Sequence, residues 1–91
     1  MVSFKHRGLK KLYESGDGSK VRADQRKRIA DVLFHLDNAL APTDLDLPGY
    51  RLHRLKGDLK GAWSISVSGN WRITFRFADG DAREVNLIAY H

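Results

Sequence analysis

Five side chains in this sequence could act together on a phosphodiester: the imidazoles of His53 and His91, the phenol of Tyr90, and the cations Lys56 and Arg72. An imidazole titrates near neutrality, so one ring can accept a proton while another donates one, each role being worth about 10²–10⁴-fold in rate. The planar fork of a guanidinium can hold two phosphate oxygens at once, which suits Arg72 better than Lys56 to charge developing in a transition state. Tyr90 can lend its hydroxyl or, the stronger expectation, stack on an unpaired base. Such a set fits RNA cleavage in which the substrate's own 2′-hydroxyl attacks and the protein supplies a base, an acid and positive charge. Sequence does not assign base and acid between His53 and His91.

These groups need elements to position them. A chain end frays unless a strand ties it down, and the run 82–88 (AREVNLI) reads as a strand that delivers Ala89, Tyr90 and His91 to a sheet edge. Three further strands are expected at 50–55, 63–67 and 71–77, separated by Gly57 to Gly61, the turn Ser68-Gly69-Asn70 and the turn Ala78-Asp79-Gly80-Asp81. Alternation sends Trp63, Ile65, Val67, Trp71, Ile73, Phe75 and Phe77 to one face, toward a core, and Arg72, Thr74 and Arg76 to the other. The second face is therefore partly cationic and open. Trp63 and Trp71 are accordingly read as core residues, His35 as structural or partly exposed, and His6 as a surface residue.

Ahead of the strands, Leu9, Leu12 and Tyr13 recur at helical spacing until Ser15-Gly16-Asp17-Gly18-Ser19 breaks the pattern. A longer helix is predicted from about Ala23 to Leu40, with Ile29, Val32, Leu33, Leu36 and Leu40 as its apolar stripe, Ser19 or Asp24 as cap and Pro42 as stop. The expectation is an α+β fold, residues 1–91 forming a single domain: two N-terminal helices packed on a curved, mainly antiparallel sheet of three or four strands, its concave face carrying the chemistry.

Composition narrows the partners. Sixteen Lys and Arg against eleven Asp and Glu give a net charge of +5, grouped at 5–11, 20–28 and 51–60. Such grouping favours a polyanion, a solvated surface being the alternative. Lys20, Arg22, Arg26, Arg51 and Arg54 are the candidate RNA contacts. Asn70 sits where a turn role suffices and a substrate contact is the second possibility. Cysteine is absent, which excludes disulfides and thiolate metal sites. His6, His35, His53 and His91 lack the short ligand spacings of a metal site, so neither metal nor cofactor is expected. The opening Met1-Val2-Ser3-Phe4-Lys5 is not that of a signal peptide and no stretch is long and apolar enough to span a membrane, so a cytoplasmic protein is expected.

The stretches Leu47-Pro48-Gly49, Arg51-Leu52-His53-Arg54-Leu55-Lys56-Gly57 and Gly61-Ala62-Trp63-Ser64-Ile65-Ser66-Val67-Ser68-Gly69-Asn70-Trp71-Arg72, with Tyr90-His91, resemble HigB-type toxins of the RelE/ParE superfamily. The opening Phe4-Lys5-His6-Arg7-Gly8-Leu9-Lys10-Lys11-Leu12 is similar to that family's first helix, so the likeness spans nearly the whole chain. It implies a RelE-like fold and a type II toxin that cleaves messenger RNA in the A site of the 70S ribosome. It implies as partner a HigA-like helix-turn-helix antitoxin, through which alone DNA would be contacted. His53, Lys56, Asn70, Arg72, Tyr90 and His91 match the family's active-site positions. The family usually ends Asp-Tyr-His, and Ala89 stands at the Asp position, so weakened cleavage is expected unless Glu84 or a ribosomal group fills the role. The competing readings are a ParE-like gyrase poison and a non-catalytic RNA- or protein-binding module.

Overall fold

A computed structural model describes residues 3–89. Helix α1 (Arg7–Ser15) begins where the His6 ring accepts the Leu9 amide, Nδ1 to N 3.2 Å, and ends at Gly16, whose φ of 74° lets its amide return to the Leu12 carbonyl. His6 is thus a half-buried helix cap where the sequence suggested a plain surface residue. A short 3₁₀ turn, Ala23–Gln25, leads into α2 (Arg26–Asn38). Neither Ser19 nor Asp24 caps α2: Gln25 holds the cap position without a capping bond, and the Asp24 carboxylate is taken by Arg22 at 2.8 and 3.1 Å.

Helix α2 buries Ile29, Val32, Leu33 and Leu36, the stripe expected from their spacing, each worth about 1.5–3 kcal/mol. Leu40 departs from that stripe. The helix ends at Asn38 because the Asp44 carboxylate accepts the amides of Leu40 and Ala41 at 2.8 and 3.2 Å and draws the chain away, leaving Leu40 84% exposed. Pro42 then opens a 3₁₀ turn (Pro42–Leu45) that returns Leu45 to the core.

The sheet has four strands in sequence order, all antiparallel: β1 (His53–Arg54), β2 (Trp63–Ser68), β3 (Trp71–Ala78) and β4 (Asp81–Ala89). Ile65, Val67, Ile73, Phe75, Ala82 and Val85 join the helices in one core, with Trp63, Trp71 and Phe77 packed on it half-buried. The first strand is shorter than the expected 50–55. Tyr50 is buried and its carbonyl accepts the Ser66 amide, but Arg51 has a φ of 50°, which breaks the extended backbone before His53.

Bulges at Ser66/Ser68 and Thr74/Arg76 interrupt the ladder, the second opposite Glu84, whose φ is also 50°. Bulged strands bend and twist more strongly, which gives the sheet its open hollow. Phe4 adds a parallel bridge to Val85 on the outer side of β4. Among the described residues no helix is long and apolar enough to cross a membrane.

Capping of α1 by His6 requires an unprotonated Nδ1, and burial lowers the ring's pKa from its usual 6.5. The unfolded chain therefore binds the proton more readily. The stabilisation is complete above about pH 6.5 and lost as pH falls below it. Thermal melts should show stability falling between about pH 7 and about pH 5. His6→Asn, which keeps a capping acceptor without the titration, should flatten that slope.

Candidate active site

The open face of the sheet is built by register. His53 pairs with Ser64, Ser64 with Thr74 and Thr74 with Asn86, so one cross-strand row runs over all four strands. A second row places Ser66 opposite Arg72 and Arg72 opposite Ile88. Paired residues share a face. His53 and Arg72 therefore stand on the same side of the sheet, away from the helices.

Arg51, His53, Ser64 and Arg72 line an open cleft of about 250 Å³. His53 and Arg51 are exposed, Arg72 is half-buried, and Ser64 forms the floor at 3% exposure. Arg72 is braced rather than free: Nη1 donates to the Gly69 carbonyl at 2.7 Å and to its neighbour Trp71 at 3.0 Å. Its other two nitrogens have no hydrogen-bond partner among the described residues, so the braced fork keeps donors for an anion. Positive charge, one imidazole and an open approach are among the features that an in-line attack on a phosphodiester uses.

The remaining expected residues fall into separate groups. Arg54 and Lys56 line a different concavity with Leu55, Lys60 and Gly61, and the Arg54 guanidinium lies 5.2 Å from the Trp63 ring centroid. Asn70 is exposed in the β2–β3 turn, and its side chain makes no hydrogen bond among the described residues. Lys20, Arg22 and Arg26 are exposed before and at the start of α2, Arg22 paired with Asp24 and Arg26 donating to the Gly18 carbonyl at 2.7 Å. Glu84 lies away from the cleft, bridged to Lys5 and Arg76 at 3.4 Å each. Ala89 ends β4 opposite Trp71 and so shares the helix-facing side. Tyr90 and His91 lie outside the described residues. Among the described residues no group of three or more His, Asp or Glu is arranged to hold a metal.

Arg28 is the residue that charge patterning misplaces. It belongs by sequence to the basic stretch 20–28, yet it works inside the fold. Its Nη2 donates to the Gly49 carbonyl at 2.6 Å and to the Ser66 carbonyl at 3.1 Å, Nε reaches Ser66 at 3.3 Å, and the guanidinium covers the Tyr50 ring at 4.4 Å. One side chain of α2 thus fixes the turn that delivers Arg51 and His53 against β2. Gln25 makes a second tie, donating to the Ser68 hydroxyl at 2.9 Å. The signal for Arg28 in the sequence was its place beside Ile29 and Val32, on the helix flank nearest the core.

A family model described as the RelE-like toxin of the type II toxin-antitoxin system HigB matches residues 2–91. The chain belongs to the HigB-like toxin family. It is 51% identical over 89 residues to a Proteus vulgaris protein named Endoribonuclease HigB, an alignment covering 98% of this chain and 97% of the relative. It is 36% identical over 96 aligned positions to Toxin HigB-1 of Vibrio cholerae serotype O1, covering 94% and 93% of the two chains. Membership in a type II toxin-antitoxin family brings with it a cognate antitoxin as partner.

Arg28→Met should destabilise the fold by about 1.5–3 kcal/mol, because two carbonyls lose charged donors. Denaturant melts measure this. Lys at 28, which keeps the charge but not the fork, should recover only part of the loss.

Proposed function

We propose that this chain is a ribosome-dependent endoribonuclease toxin that cleaves messenger RNA in the A site by metal-independent attack of the substrate's 2′-hydroxyl. The observation that carries the reading is the cleft in which Arg51, His53 and Arg72 converge over Ser64. The Proteus vulgaris relative, named an endoribonuclease, supports the reaction class.

In this mechanism the 2′-oxygen attacks phosphorus and loses its proton to a base, while the bond to the 5′-oxygen breaks and that oxygen takes a proton from an acid. The products are a cyclic 2′,3′-phosphate and a free 5′-hydroxyl. His53 is one proton carrier and His91 the other, with Tyr90 stacking on a base of the substrate. Arg72, with Arg51 beside it, stabilises charge on the phosphoryl oxygens. Bracing by Gly69 and Trp71 pre-sets its fork, so little reorganisation is needed as charge develops. Lys56 and Arg54 lie on the neighbouring concavity, where they track the backbone beyond the cut. Lys20, Arg22, Arg26 and Asn70 dock the protein on ribosomal or messenger RNA. A helix-turn-helix antitoxin neutralises the toxin, and both act in the cytoplasm.

The cleft is shallow and open, without walls to align a flexible strand, so the ribosome supplies the alignment. Messenger RNA should be cut when ribosome-bound and survive when naked, and mapping of new ends decides it. Equal cutting of free RNA would overturn ribosome dependence, whereas gyrase-dependent DNA damage without RNA cleavage would replace the reading with a gyrase poison.

Alanine at position 89 leaves the terminal imidazole without the neighbouring carboxylate that orients it and favours its charged form. Cleavage by this chain should therefore be weak, and Ala89→Asp should raise ribosome-dependent cleavage by about tenfold or more. Its melting temperature should change little. Equal activity in the two forms would remove that carboxylate from the mechanism.

A further inference from the structure

Gln25 is 1% exposed in the 3₁₀ turn that opens α2, and its Oε1 is the buried side-chain oxygen left without a hydrogen-bond partner among the described residues. Burying a half-satisfied amide costs stability, which an apolar side chain of like size would avoid. What the side chain achieves lies in its other half. Nε2 donates to the Ser68 hydroxyl at 2.9 Å, across 43 positions of sequence. Either orientation of the amide keeps this tie, because a hydroxyl both donates and accepts.

Ser68 is where the brace on Arg72 begins. It pairs with Trp71 across the exposed turn Gly69-Asn70, and the carbonyls of Gly69 and Trp71 are the two that hold Arg72 Nη1, at 2.7 and 3.0 Å. Paired with Trp71, Ser68 faces the helices. Between Ser66 and Ser68 the ladder carries an extra residue, Val67, so the pairing that fixes Ser66 opposite Arg72 does not by itself fix the turn beyond. The helix layer supplies the constraint at two points: Arg28 holds the Ser66 carbonyl before the bulge, and Gln25 holds the Ser68 hydroxyl after it. Gly69, with a φ of 50°, has the backbone freedom that makes such an outside tie matter. Gln25 does not line the cleft formed by Arg51, His53, Ser64 and Arg72, so its effect there passes through the turn.

We infer that Gln25 is a positioning residue for Arg72: through Ser68 it fixes the turn whose Gly69 and Trp71 carbonyls hold the guanidinium at the cleft. The inference rests on the reading of Arg72 as the donor that stabilises phosphoryl charge during RNA cleavage, and it deepens that reading by tracing what sets the fork. It also accounts for a polar residue in a closed site at the start of α2, where packing alone would favour an apolar one.

The test separates position from stability. Gln25→Met removes the tie and keeps an unbranched side chain of similar length, and the Ser68 hydroxyl it releases is at an exposed position, so the melting temperature should stay level or rise. In NMR spectra the Arg72 side-chain N–H signals should lose the separation of Nη1 from Nη2 that a one-sided brace imposes. On ribosome-bound message kcat should fall about tenfold with KM nearly unchanged, since a reacting group is displaced and no substrate contact is lost. Added to Arg72→Lys, which has no fork to position, Gln25→Met should cost no more than about twofold further. Ser68→Ala cuts the same tie from its exposed end and should reproduce the altered Arg72 signals, and Ser68→Thr, which keeps the hydroxyl, should restore them. Were Gln25→Met not to fold, Ser68→Ala would carry the comparison. Altered Arg72 signals without cleavage by any form, the unmodified chain included, would keep the positioning role and sink the nuclease reading. Unchanged Arg72 signals in the folded variants that lack the tie, or a full further loss of kcat in the Arg72→Lys background, would overturn the inference.

Discussion

Strand β3 is paired on both sides, with Arg72 between Ser66 and Ile88, and Thr74 between Ser64 and Asn86. Its alternate residues Ile73 and Phe75 are sealed in the core that Ile29, Val32, Leu33 and Leu36 of α2 share. A slip of one residue in either ladder would bury the guanidinium and expose the phenyl ring, so the burial that stabilises the sheet also decides which groups face the substrate. The helices enforce this register without touching the cleft. Their apolar stripe accepts one face of the sheet and thereby leaves the other to function.

The same division of labour explains why cations of one residue type play different parts. Arg72 is braced by two carbonyls yet keeps free donors, whereas Arg28 spends its fork on Gly49 and Ser66 and its face on Tyr50. Arg76 is likewise occupied, donating to the Lys60 carbonyl and pairing with Glu84. Net charge therefore overstates the positive surface available to RNA. Two of the three non-glycine residues of positive φ sit where this internal bracing is densest, Arg51 after the turn clamped by Arg28 and Glu84 at the bulge beside Arg76, while the third, Asp79, lies in the β3–β4 turn. Non-glycine residues persist in that conformation only where their surroundings over-determine it.

Most of the architecture was legible because its signals are periodic. Ile29, Val32, Leu33 and Leu36 announce α2, and the alternation through Trp63–Phe77 with Gly69-Asn70 and Asp79-Gly80 between strands announces the hairpins. What stayed hidden depends on single long-range contacts. The early end of α2 comes from Asp44, the shortening of the first strand from Arg51, and the capping of α1 from a histidine, an unusual cap residue. In the site, His53, Arg72 and Arg51 were readable as chemical types, but their separation from Arg54 and Lys56 follows from strand alternation across only two residues. Ser64 was invisible as the floor of the cleft, since a hydroxyl on an outward position signals solvent until its burial is known.

The parallel bridge between Phe4 and Val85 has a consequence for the edge of the sheet. Ser3 meets Glu84 across 81 positions of sequence, through its hydroxyl and the Glu84 amide, and Lys5 and Val85 complete the contact. Residues 3–5 are therefore held by residues 84–85 on the outer side of β4, the strand that completes the pairing of β3 and Arg72. Contacts so distant in sequence form late because loop closure must come first. Until that contact closes, β4 has β3 on one side and no backbone partner on the other among the described residues. Residues 3–5 thus act as a clasp, closing an edge strand whose backbone would otherwise be open to another chain.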